Sequence, residues 1–335
     1  MGSPVRAAAG AARSVPPDVR RQLIGAGVLA LLCAGLLLAV PGLRPVVDEI
    51  AAIDPAWLLV AVALELGSCV SFVVAYRWFF DAVAPGAART LAWTSMAAGV
   101  LLPAGGAGGL LIAGWLARVM GHETGWIIRR SSALFVFTSA VNIATLVAAG
   151  CLALTGLSGP GDLLRAGLPE LAGCTTIALL AAVARRQPAR RELTGEPRLA
   201  ALLAGAGDAA RLLLRPPWRL AGAVGYLWFD IAVLWAALRA VGAAPPVAAL
   251  VLGYLIGYLA NALPVPAGIG VLDAGLTGAL TVYGVPAVHA AAAVLVYHAV
   301  VVWVPGSGGL AAFAAAQRPG GAVRRAARAR EERYG

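Results

Sequence analysis

Eight stretches of this chain are apolar over lengths that approach or exceed the width of a bilayer, and two of them are interrupted at mid-length by proline and glycine. A hydrocarbon layer of about 30 Å takes roughly 20 helical residues to cross. The uninterrupted stretches are Leu23–Val40, Trp57–Tyr76, Ser132–Leu157, Leu171–Ala184, Leu220–Leu238 and Pro286–Val304. The interrupted ones are Leu91–Val119, broken by Pro103-Ala104-Gly105-Gly106-Ala107-Gly108-Gly109, and Val247–Tyr283, broken by Pro264-Val265-Pro266-Ala267-Gly268-Ile269-Gly270. Proline removes a backbone donor and clashes with the preceding turn, while glycine admits conformations other residues avoid. Each break therefore separates two half-helices. With 60% apolar and 13% charged residues, against about 25% charged in a soluble domain, the chain is not a soluble enzyme, a disordered chain or a disulfide scaffold. It reads as an all-α polytopic membrane protein.

The charges fix the direction of each segment. All 26 basic residues are arginine, and the net charge is +10. In a membrane protein this excess marks the cytoplasmic side, so no nucleic-acid partner is inferred. The N-terminal tail holds Arg6, Arg13, Arg20 and Arg21 and lies inside; Pro41-Gly42-Leu43 offers no signal-peptide cleavage site, so the first segment is a retained crossing. Loop 41–56 carries Asp48, Glu49 and Asp54 against Arg44 and lies outside. Arg77 and Arg89 precede the first broken segment and Arg118, Arg129 and Arg130 follow it, so both of its ends lie inside and it is a re-entrant hairpin. Loop 158–170 is outside, and loop 185–219, with eight arginines, is inside. The C-terminal tail holds six arginines from Arg318 to Arg333, which puts it inside and makes the second broken segment re-entrant from outside.

The fold class that follows is about six full crossings plus two re-entrant broken-helix hairpins in an inverted repeat, with units at 57–157 and 220–304. Aligning Leu102-Pro103 on Leu263-Pro264 without gaps gives six identities in thirteen positions, including Gly109 on Gly270 and Gly114 on Gly275. Residues 1–22 form a cytoplasmic basic tail, 23–316 a single transmembrane domain with the cytoplasmic loop 185–219, and 317–335 a second cytoplasmic basic tail. Within that loop, Leu199–Leu214 reads as an amphipathic surface helix. Inverted units with discontinuous helices meeting near the midplane are a transporter architecture.

Irregular backbone at membrane depth is tolerated only where protein or a water-filled cavity surrounds it. Each tip precedes a half-helix whose free N–H groups and dipole favour anions. Pro103, Gly105, Gly106, Gly108 and Gly109 at the first tip, and Pro264, Pro266, Gly268 and Gly270 at the second, are the candidate substrate-binding residues; the alternative is that the glycines only let helices pack, as in small-xxx-small contacts. Intramembrane acids are costly and tend to be functional. Glu65, Asp230 and Asp273 are the candidates for carrying a coupling proton, against a reading as hydrogen-bonded interhelical acids. Asp273 also stands beside the second tip, either as a substrate-binding residue or as a helix-dipole partner. His298 faces either an anionic head group or a structural hydrogen bond. His289 and His298 have no acid or cysteine at metal-ligand spacing, and Cys33, Cys69, Cys151 and Cys174 form no CxxC pair. No metal and no cofactor are expected. No nucleotide-binding loop and no hydrolase or metalloprotease motif is present.

The run Leu263-Pro264-Val265-Pro266-Ala267-Gly268-Ile269-Gly270-Val271-Leu272-Asp273, with Tyr283-Gly284-Val285-Pro286 and Leu295-Val296-Tyr297-His298, resembles the lysylphosphatidylglycerol synthase transmembrane region family, whose members are also called flippase-like proteins. Leu102-Pro103 through Gly109, with Gly121 downstream, is similar to that family's other Pro/Gly block. Members usually carry Glu where this chain has Asp273 and commonly Arg where it has His298. The resemblance implies a lipid-translocating or lipid-binding module. Only 18 residues follow Gln317, so a soluble aminoacyl-transferase domain is not expected here and any lipid-modifying synthase is a separate partner.

The reading is then a flippase-like transporter in the cell membrane, not an enzyme, moving or binding an anionic or aminoacylated phospholipid or a polyprenyl-linked lipid. The rivals are a membrane-embedded transferase acting on a lipid carrier and a non-catalytic membrane partner of a cell-envelope synthase. The topology has a direct test: in a background without native cysteines, Ile50→Cys and Arg165→Cys label from outside in intact cells, whereas Ala84→Cys, Gly125→Cys, Gly195→Cys and Arg325→Cys do not. Labelling at residue 125 from outside would eliminate the first hairpin.

Overall fold

The computed structural model describes residues 44–102, 106–155, 167, 170–176, 196–214, 218, 221–259, 271–318 and 321. The first expected crossing, Leu23–Val40, lies outside these residues, and Leu171–Ala184 is described only to residue 176, as helix. The elements are α1 (Arg44–Ala51), α2 (Pro55–Phe79), α3 (Pro85–Leu101), α4 (Gly106–Val119), α5 (Thr124–Leu154), α6 (Pro197–Leu214), α7 (Ala221–Ala240), α8 (Val247–Leu259), α9 (Val271–Val282) and α10 (Ala287–Gln317). No strand occurs among the described residues.

Helices α2, α5, α7 and α10 are long and apolar enough to cross a membrane. Their outward faces carry large bare side chains, such as Leu59 at 72% and Trp303 at 74% exposure. A water-soluble surface does not sustain such a belt, whereas hydrocarbon solvates it. Two of these helices outrun their apolar cores. Helix α5 starts eight residues before Ser132 because Arg129 and Arg130 find acidic partners at the bundle end: Arg129 makes a bidentate pair with Asp208 at 2.6 and 3.0 Å, and Arg130 reaches Asp81 at 3.0 Å. Helix α10 runs on past Val304 through Pro305, its glycines 308 and 309 lying against Trp93 of α3.

Helices α2 and α7 form the spine. Trp57 meets Trp235 edge-on at 5.3 Å, Ser68 donates to the Tyr226 carbonyl at 3.1 Å, and a Cβ on Gly222 would lie 2.7 Å from the Ser71 carbonyl oxygen. Numbers rise on one helix as they fall on the other, so the pair is antiparallel. The chain leaves the far end of each into a broken segment.

Both broken segments double back. In the first, a Cβ on Gly109 would stand 2.5 Å from the Ser95 carbonyl oxygen, so α4 returns along α3. In the second, Gly253 faces Leu280 and Gly257 faces Leu276, so α9 returns along α8. The half-helices hold 17, 14, 13 and 12 residues, about 26, 21, 20 and 18 Å at 1.5 Å per residue, each short of a full crossing. Because α2 and α7 run in opposite directions, the hairpins enter from opposite ends of the bundle.

One segment read as a loop is helical, and the helix expected within loop 185–219 is present. Residues 44–51 form the short helix α1, which packs on α10 and buries Val46, and Asp54 caps α2 by accepting from the Ala56 N–H at 2.9 Å. At the other end, α6 is the expected surface helix and is pinned on α5 by Asp208, which Arg129 and Arg211 both contact. Burial alone would raise the Asp208 carboxyl, but the hydrogen bonds from Arg129 and Arg211 outweigh it and hold it below its ordinary value.

Close backbone approach inside the second hairpin is testable. An alanine at Gly257 would gain up to about 1 kcal/mol of helix propensity, but its Cβ would meet Leu276 Cα at 2.6 Å and Leu276 N at 2.9 Å, which a rigid backbone cannot relieve. Gly278 in the same hairpin has nothing within 4 Å. Gly257→Ala therefore lowers the thermal midpoint of the purified protein in detergent, and Gly278→Ala leaves it unchanged or raises it. Equal midpoints would mean that the two half-helices are not closely packed.

Candidate functional site

Two acidic centres lie in the interior, and α10 touches both. The first is built where α2 crosses α7. Glu65 is ten residues into α2 and Asp230 nine into α7, each about 15 Å from its helix start and so near mid-bundle. Their side chains are buried, with residue exposures of 5% and 9%. Tyr254 of α8 donates to Asp230 Oδ2 at 2.5 Å and Tyr297 of α10 to Asp230 Oδ1 at 3.1 Å. Cys69, one turn along from Glu65, places its Sγ 3.6 Å from Glu65 Oε1, while Glu65 Oε2 is buried without a hydrogen-bond partner. Tyr258 stacks on Tyr254 at 5.3 Å. The interior apolar cluster of α7, α8 and α10 surrounds this polar group.

The second centre stands where α9 begins. Asp273 is in the first turn of α9, and its Oδ1 lies 2.9 Å from Nδ1 of His298 on α10, an ion pair when the imidazole carries a proton. The two side chains keep 19% and 24% exposure. Asp273 opens onto a cleft of about 450 Å³ between α9 and α10, walled by Ala274, Thr277, Gly278, Ala291, Val294 and Leu295. Apart from Asp273 and Thr277 those walls are apolar. The cleft is thus lined by one acid, Asp273, whose other contact is His298, and by hydrocarbon-like walls beyond it.

Consecutive residues of a helix point about 100° apart. Tyr297 turns to Asp230 and His298 to Asp273, so one turn of α10 joins the two centres. Eight residues further on, about 12 Å along the axis, Gly306 approaches Leu101 at the end of α3. Both broken segments therefore reach their interruptions beside the same helix.

The sequence-derived candidates divide accordingly. Asp273 and His298 are in contact, and Glu65 and Asp230 share one cluster, whereas the acids read as scattered in the sequence. Gly108 and Gly109 are buried against α3: a Cβ on Gly108 would come within 3.0 Å of Leu102 Cβ and 3.2 Å of the Ala98 carbonyl oxygen. Helix packing explains these two glycines. Gly106 opens α4. Pro103, Gly105, Pro264, Pro266, Gly268 and Gly270 lie outside the described residues. No group of three or more potential metal ligands occurs among the described residues.

Sequence reasoning passed over the tyrosines, which inside apolar helices count as hydrophobic. A period of four would have found them: Glu65 and Cys69, Tyr226 and Asp230, Tyr254 and Tyr258 each stand one turn apart on one face. His289 also finds an acid, Glu49 of α1, at 3.6 Å, a pairing that no local spacing reveals.

The fold and these two centres define a multi-pass helical membrane protein with paired broken-helix hairpins and a buried acid system. Its family follows from the sequence match: residues 23–309 fit the lysylphosphatidylglycerol synthase TM region, and the chain belongs to that family. No curated protein and no solved structure matches it. Asp273 and His298, the two positions at which the resemblance implied Glu and Arg, are in contact with each other.

Proposed function

We propose that this chain is a lipid transporter: it takes up an anionic or aminoacylated phospholipid, or a polyprenyl-linked lipid, at the α9–α10 cleft and moves it across the membrane. The observation that carries the reading is the amphipathic cleft. A lipid has a polar head and apolar chains, and the cleft offers Asp273, itself in contact with His298, to the one and apolar walls to the other. A protonated His298 attracts a phosphate, while Asp273 repels it unless it is paired with His298 or meets a cationic head group.

Membership of the family supports the same reading, as do the two hairpins entering from opposite ends. Helices α2 to α5 and α7 to α10 each follow the order helix, hairpin, helix, and their leading helices pack antiparallel. This is the arrangement expected of inverted units, which alternate access by rocking about a central site. In this reading the end bearing Asp81, Arg130 and α6 faces the cytoplasm, the chain is not itself an enzyme, and a separate synthase supplies any aminoacylated lipid.

The test is dithionite accessibility of fluorescent phosphatidylglycerol in proteoliposomes. Wild-type protein and Asp273→Glu expose inner-leaflet probe to the quencher. Asp273→Asn, which keeps the shape and loses the charge, slows this tenfold or more, about 1.4 kcal/mol in barrier, with folded yield unchanged. If Asp273→Asn moves the probe at the wild-type rate, the cleft is not the lipid path.

A further inference from the structure

The Glu65–Asp230 cluster has an inconsistency that packing alone does not resolve. Two carboxyls are buried on facing turns of α2 and α7, where Gly67 lies against Phe229 and Ser68 donates to the Tyr226 carbonyl at 3.1 Å. The titratable groups facing them are Cys69 of α2, Tyr226 of α7, Tyr254 and Tyr258 of α8 and Tyr297 of α10. No arginine or histidine is among these, within the described residues. Two ionised carboxylates without a countercharge are not sustained in such a setting, because desolvation costs several kcal/mol per ion and the charges repel.

Hydrogen bonding assigns the charge. A carboxylate is an acceptor only, and both oxygens of Asp230 accept, one from each tyrosine hydroxyl. Asp230 is therefore satisfied as the anion. Glu65 has one weak thiol donor at 3.6 Å and a second oxygen, Oε2, that is buried with no partner. An ionised Oε2 there would carry the full penalty of an unsolvated charge. A proton on it removes the charge. A purely structural protonated glutamate, however, would donate its O–H to an acceptor, and Oε2 has none. Neither resting form is fully accommodated, which is how an exchanging site differs from a fixed hydrogen bond.

We infer that Glu65 and Asp230 form a single exchangeable proton-binding site at the α2–α7 crossing, with Glu65 as the carrier and Asp230, held by Tyr254 and Tyr297, as the fixed anion beside it. The ligand is a proton and not a metal ion: the cluster offers Glu65 Oε2 as its one unsatisfied oxygen, whereas a bound cation collects several. The inference is independent of the lipid reading, since it concerns different residues and a different readout.

Infrared difference spectroscopy tests it on the full-length protein in vesicles of phosphatidylethanolamine and phosphatidylglycerol, taken reversibly from acidic to alkaline pH. The expected result is a protonated-carboxyl C=O band that vanishes as pH rises, is missing in Glu65→Gln, and in Asp230→Asn titrates about one unit lower or more, a tenfold weaker hold on the proton, because the neighbouring negative charge is gone. Circular dichroism and gel filtration establish that each variant folds; if Glu65→Gln does not, the shift in Asp230→Asn decides. A band that persists at every pH, that never appears, or that survives in folded Glu65→Gln overturns the proposal. So does loss of the band at constant pH on exchanging choline chloride for sodium chloride, which would make the ligand a metal cation. Lipid movement is not measured, so the two readings fail separately.

Discussion

A peptide group has no partner in hydrocarbon, and the cost of leaving it bare, several kcal/mol per group, governs this structure more than any side chain does. Continuous helices meet that demand by themselves, and α2, α5, α7 and α10 do so. The broken segments cannot, because proline and glycine remove the turns that would carry the helix across. Their half-helices are too short to span, so each folds back on its partner. Small residues make this packing close: backbone meets backbone at Gly109 in the first hairpin and at Gly257 in the second. The bundle that results has hairpins inserted from opposite ends, and α10 runs beside both.

That shared helix gives the interior its logic. Tyr297 ties α10 to the anion on α7, and His298, the next residue, ties it to the acid at the start of α9. A shift of α10 cannot leave one centre alone while the other changes. Glu65 and Asp230 lie on the two helices of the antiparallel spine, whose close contacts run through glycine and serine, so the acid cluster sits on the interface along which the two halves of the molecule face each other. In the proposed function, a lipid-facing pair and a proton-holding pair joined by one turn of helix are the minimum that coupled movement of the two requires.

Much of this was legible in the residues. Apolar length located the four described crossings, and proline with glycine located both hairpins. Arginine counts told which loops share an end, as the Asp81–Arg130 and Arg129–Asp208 pairs show. What local pattern does not encode is pairing between distant segments. Asp273 and His298 are 25 residues apart and Asp230 and Tyr297 are 67 apart, and nothing in either neighbourhood names its partner. Helix ends were displaced where tertiary contacts extend them, with acids drawing out the start of α5 and Trp93 receiving the end of α10. Helix α1 was read as part of a loop on the strength of its charges, Arg44, Asp48 and Glu49, yet its Val46 is buried.

The central claim is that the hairpins enter from opposite ends of one bundle. Double electron–electron resonance on nitroxide pairs measures this most directly. Ala84 precedes the first hairpin and Ala244 the second, while Gly125 follows the first. The account predicts an Ala84–Ala244 distance comparable with the length of the 25-residue α2, about 38 Å, and an Ala84–Gly125 distance less than half of that. Two equal distances would put both hairpins at the same end and contradict the architecture on which the proposed function rests.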